Sequence, residues 1–136
     1  MLGRNVLIFH AGALGDFVVT WPLALALGRL FPQSRVMYVV PRQKGELVER
    51  VLRVESVDVE GGWHALFADA AKLPERQAKT LAGAHTVVSF VSTGADAWAD
   101  NVRRLAPEAN LICLDPRPPA GHASHVTSFH LEQLRP

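Results

Sequence analysis

Apolar residues along this chain fall into two alternating patterns. Short unbroken runs, rich in β-branched and aromatic residues, occupy residues 5–9, 35–40, 57–59, 86–91 and 111–114. Between them, apolar residues recur at helical spacing. The first helical pattern spans residues 16–31, with Val19, Leu23, Ala26, Leu27 and Leu30 inward. The next spans 43–53, with Leu47, Val48, Val51 and Leu52 inward and charges outward. Further helical patterns cover 63–71, 74–81 and 95–105, and a weak one covers 124–134. A continuous apolar run is what a strand covered on both faces requires. Strand and helix in strict alternation predict an α/β domain, a doubly wound parallel sheet of five strands with helices on both faces.

Prolines and glycines punctuate this pattern. Pro22 lies near the start of the first helix, a place that tolerates proline only in its first turn. The helix therefore begins near Thr20, or begins at Asp16 and bends at Pro22. Pro32 and Pro41 bound the second strand, Gly61-Gly62 marks a turn, Pro74 splits the next helical stretch, and Gly83 closes it. Residues 115–121 hold three prolines and a glycine and read as a loop. Right-handed crossovers leave few topologies, and the commonest strand order puts the first strand centrally, with the second and fourth beside it. Ligands of such sheets bind outside the strand carboxyl ends, where the order reverses. Loops 10–16 and 92–96 face each other there, and loop 41–44 flanks them.

Asp16 stands where the first strand turns into a helix. A helix N-terminus that receives a phosphate usually leaves this spot uncharged, because it attracts anions itself. Two readings stay open: a helix cap, without the Glu or Gln of a capping box at position 19, or a carboxylate within reach of a bound hydroxyl. Gly12 and Gly15 form Gly-x-x-Gly, which is neither the dinucleotide fingerprint nor a P-loop; it permits a tight turn or a close ligand approach. His10 follows the strand directly, as a structural or a binding imidazole. Arg42 and Lys44 offer positive charge to an anion or belong to a solvated loop. Ser92, Thr93 and Asp96 can bond a hydroxylated ligand or cap the following helix. His122, His125 and His130 match no standard zinc spacing, and Trp63, Phe67 and Trp98 read as core.

Composition narrows the classes. The chain has 136 residues, 49% hydrophobic and 20% charged, which suits one domain with a real core. A formal net charge of +1 provides no electrostatic footprint for nucleic acid. One cysteine, Cys113, lies in an apolar run and reads as a core thiol in a reducing compartment. Neither a signal-peptide pattern nor a run of roughly 18 apolar residues is present, so a cytoplasmic location is the expectation.

The stretch from Val6 to Asp16, continuing through Thr20 and Pro22 to Leu27, resembles the opening of the heptosyltransferases, glycosyltransferase family 9. Members begin with a strand, a basic residue, a Gly-x-x-Gly-Asp-like turn, and an apolar helix with Thr-x-Pro. Gly12, Gly15, Asp16, Thr20 and Pro22 fit this pattern, and His10 stands where the family often has Arg or Lys. Phe31-Pro32 and the strand to Val40 fit as well, and the tail from His125 is similar to the passage between the two family domains. The resemblance implies a GT-B enzyme of two Rossmann-like domains, with residues 1–136 as the acceptor-side domain and the donor-binding C-terminal domain absent from this chain. It implies an inverting, metal-independent transferase without a cofactor, inactive in this piece alone. Asp16 is then the general base that takes the proton of the acceptor hydroxyl. His10, Gly12, Gly15, Arg42, Ser92 and Thr93 are the expected substrate contacts. The implied donor is a nucleotide sugar such as ADP-heptose. The implied acceptor is a cell-surface glycan or the phosphorylated core of lipopolysaccharide, met at the cytoplasmic face of the inner membrane with peripheral contact to its surface. Two other readings remain: a stand-alone Rossmann or flavodoxin-like module binding a nucleotide, and a non-catalytic assembly domain presenting Phe17 and Trp21 as an interface.

Overall fold

The structure, a computed structural model, describes residues 4–68 and 72–115. The pattern at 124–134 and the histidines His122, His125 and His130 lie outside the described residues, as does the end of the 63–71 pattern. Five parallel strands form one sheet: β1 (Asn5–Phe9), β2 (Arg35–Val40), β3 (Glu55–Asp58), β4 (Ala84–Ser89) and β5 (Asn110–Cys113). Their order is β3-β2-β1-β4-β5, with β1 central, the commonest of the orders that right-handed crossovers allow. Phe9 is level with Val39 on one side and Ser89 on the other, so the three loops that follow these strands leave the sheet side by side.

Strand period 2 sorts β1 between two cores. Leu7 and Phe9 join Met37, Val39, Val87 and Trp98 on one face. Val6 and Ile8 join Phe17, Leu23, Tyr38 and Val88 on the other. Burying each such side chain stabilises the fold by about 1.5–3 kcal/mol. The first face is covered by a 3-10 turn (Trp63–Phe67) and helices α4 (Glu75–Ala82) and α5 (Ala97–Leu105); the second by α1 (Leu14–Val18), α2 (Trp21–Leu30) and α3 (Arg42–Leu52).

The helical pattern at 16–31 is two helices. It begins at Leu14, breaks at Val19 and Thr20, and resumes with Pro22 in the first turn of α2. Pro22 has no N–H to bond the Val18 carbonyl, and the ladder fails there. The third strand starts earlier than its apolar run, at Glu55 rather than Val57, because backbone pairing with Met37 begins there. Glu55 itself meets Arg35 at 2.7 Å on the neighbouring strand. The fourth strand likewise spans Ala84–Ser89 rather than 86–91. Leu30 and Val51, expected inward, are exposed; each lies in the last turn of its helix.

Phe67 is also a correction: it is 56% exposed, not core. The segment is 3-10 rather than α, so its buried residues recur every third position, Trp63 and Leu66. Position 67 then turns outward. Cys113 is half-buried rather than enclosed, as befits an edge strand.

Candidate functional site

The loop after β1 carries Gly12 with φ +118°, a conformation that favours glycine. Lys44, on the first turn of α3, reaches across and donates from Nζ to the Gly12 carbonyl. The sequence offered Lys44 as an anion ligand or a solvated charge; it instead ties the loops of β1 and β2 together. No sequence signal marks a lysine as partner of a carbonyl thirty-two positions away.

Asp16 is not the cap of its helix. Ala13 holds the cap position of α1, and Asp16 follows in the first turn, half-buried. A carboxylate there is favoured by the helix dipole. Gly15 has no positive φ, and a Cβ built on it meets nothing within 4 Å. Nothing in the described structure therefore requires glycine at 15.

His10 is 2% exposed, so it is not a surface cation at the cleft. Its ring packs between Phe17, at 5.7 Å, and Phe90, at 5.6 Å. Phe17 is fully buried against Tyr38, which removes it as an interface residue. Thr20, one of the motif residues, is buried as well. Its Oγ1 donates to the Phe17 carbonyl at 2.7 Å and accepts from the Tyr38 hydroxyl at 2.8 Å. It braces the break between α1 and α2 against the sheet.

Arg42 is exposed and pairs with Glu46 one turn along, at 3.1 Å. Such a pair is worth about 0–1 kcal/mol, so an incoming anion can compete for the guanidinium. Across the edge, Asp96 is the N-cap of α5, accepting from the Ala99 N–H at 3.0 Å. Ser92 donates to Asp96 Oδ1 at 2.5 Å, and the Thr93 N–H reaches Oδ2 at 3.3 Å. The Ser92 bond, with those from the backbone, holds the Asp96 carboxyl below the usual carboxylate range. The capping reading of this loop is thus the observed one for Asp96 and Ser92. Thr93 is exposed, and its Oγ1 accepts from the Ala95 N–H at 3.3 Å. Burial pushes the neighbouring Cys113 thiol up, the opposite of what a nucleophilic thiolate needs.

The structure thus brings the loops of Gly12 and Asp16, of Arg42 and Lys44, and of Ser92 and Thr93 to one edge of the sheet. Among the described residues, no group of three or more His, Cys, Asp or Glu is placed to hold a metal ion, and no helix is long and apolar enough to cross a membrane.

No protein-family model matches the chain, and no curated protein matches it in sequence. Among solved structures, the glycosyl transferase family 9 protein from Veillonella parvula DSM 2008 is similar in fold, with a TM-score of 0.52 at 16% identity. The likeness covers 98% of this chain and 42% of that one, so this chain spans less than half the length of the protein it matches. At this identity the likeness establishes a shared α/β fold.

Proposed function

We propose that this chain is the acceptor-side domain of an inverting glycosyltransferase of the GT-B type, resembling family 9. The carrying observation is the place of Asp16. It follows the central strand, at the sheet edge where the strand order reverses and where ligands of open α/β sheets bind. The fold likeness to a family 9 protein supports the same reading.

In this mechanism an acceptor hydroxyl lies over the β1 loop and gives its proton to the Asp16 carboxylate. Its oxygen attacks the anomeric carbon of a nucleotide sugar held by a second domain. The new C–O bond forms as the bond to the nucleoside diphosphate breaks, with inversion. Arg42 meets an anionic group of the acceptor, and the Thr93 hydroxyl proton, uncommitted within the described residues, is offered to one of its hydroxyls. Lys44 fixes the glycine loop rather than the substrate. A glycan or glycolipid acceptor brings the domain to the cytoplasmic face of the membrane.

The test joins this domain to a nucleotide-sugar-binding domain and compares Asp16→Asn with the parent. Loss of the base is expected to lower turnover by about 10²–10⁴-fold. The melting temperature of the acceptor domain should be unchanged. Full activity in Asp16→Asn overturns the general-base role. Saturable nucleotide binding by the 136-residue chain itself, measured by calorimetry, would instead favour a stand-alone nucleotide-binding module.

A further inference from the structure

Beside the β1 loop, on the sheet face away from α1, lies a cavity of about 80 Å³. Its floor is the indoles of Trp63 and Trp98, both buried, and Val59 and Val91 line it as half-buried residues. Ala11, from the same loop that leads to Asp16, and Phe67 stand exposed at its rim. Phe67 does not fill it: the 3-10 turn swings that ring outward, with its centroid 6.5 Å from Trp98. His10 borders it too, but its ring turns to the opposite face of the sheet, between Phe17 and Phe90.

The size and the walls define what fits. A water needs roughly 10–15 Å³ of such space and a cavity of about 150 Å³ takes benzene, so this one admits a few heavy atoms, short of a six-membered ring. A hydroxylated group of that size would find no partners for its hydroxyls on these walls. A short branched alkyl end loses nothing on entry. We propose that this cavity binds a short branched alkyl group carried by the acceptor. The proposal rests on the acceptor-side reading and adds that the acceptor has an apolar part seated beside the reacting hydroxyl. Ala11, in the loop that leads from the central strand to Asp16, borders the cavity, which ties the two parts to one strand end.

The chain has three tryptophans, and two of them form the floor. Replacing the third, Trp21→Phe, leaves an emission that reports on the cavity alone. 2-Bromopropane, a short branched alkyl group carrying a heavy-atom quencher, is titrated into that 136-residue protein. Quenching should saturate, and Val91→Phe, which fills the cavity, should raise the half-saturation concentration at least tenfold. If Val91→Phe does not fold, Val59→Leu makes the same comparison. Quenching that rises linearly, as for free tryptophan, overturns the proposal. So does an unchanged half-saturation in a folded filled variant, or equal protection from quenching by an excess of acetamide, a polar molecule of the same heavy-atom count. Asp16→Asn should leave the quenching curve unchanged, so this result and the fate of the general-base reading are read separately.

Discussion

Gly12 and Gly15 look equivalent in the sequence, as the two ends of one Gly-x-x-Gly, yet the backbone asks different things of them. Gly12 has φ +118°, which an L side chain adopts only under strain. Gly12→Ala should cost about 1–3 kcal/mol. Gly15 lies inside α1 with open space where a Cβ would stand. Gly15→Ala should leave stability unchanged or raise it by up to about 1 kcal/mol, since alanine is the better helix former. Urea denaturation of the two variants decides this. If Gly15→Ala folds well yet impairs an acceptor-dependent reaction, the need for glycine there comes from a ligand, not from the fold. The spacing of small residues was legible in the sequence. Which of them carries a left-handed backbone was not, because φ is set by where the loop must go.

At the scale of one element, α5 was legible from its apolar period and from Pro107 beyond its end. Its start was a choice between a cap and a ligand site, and geometry settles it for Asp96. The carboxylate accepts from Ser92, Ala99 and Thr93. Asp96→Ala should therefore destabilise by about 1 kcal/mol at neutral pH. The sign of its pH dependence follows from linkage. The folded carboxyl lies below the usual range, so the unfolded chain takes up its proton first as pH falls. The contribution is present above roughly pH 4, the unfolded carboxylate value, and is lost as pH drops through the folded one. Asp96→Asn keeps the cap oxygen and removes this titration. Denaturation curves at pH 7 and pH 3 for the three proteins test both statements. The 3-10 turn at Trp63–Phe67 was illegible for a related reason: in so short a segment, a period of three and a period of 3.6 share their first buried pair.

For the whole molecule, the tie between sheet and helical layer runs through Tyr38 and Thr20. Thr20 spends its one proton on the Phe17 carbonyl, so the Tyr38 hydroxyl donates. Burial pushes the Tyr38 phenol up. Its folded value thus exceeds the unfolded one near pH 10, and its contribution to stability is full below that pH and fades as pH rises beyond it. The chain has one tyrosine, so absorbance titration of the phenolate is unambiguous. Ionisation should be delayed in the native protein and return to about pH 10 in urea. Thr20→Val leaves the buried phenol without its acceptor and should cost about 1–3 kcal/mol.

The sequence by itself determined the number of strands, their parallel arrangement and the central place of β1. Continuous apolar runs admit no one-sided sheet, and crossover handedness leaves few orders. It also marked the loops that meet at the sheet edge. Only the tertiary structure decided what each side chain there does. His10, open between a structural and a binding imidazole, and Thr20, noted only as part of the Thr-x-Pro, are both inside the core. Lys44 holds a carbonyl of another loop, and Ser92 and Asp96 hold each other. Asp16 stands apart from the cap position it seemed to fill. These outcomes depend on distances between residues far apart in the chain, which periodicity does not encode. The cavity under Phe67 is of the same kind, since its walls come from four separate segments brought together by packing alone.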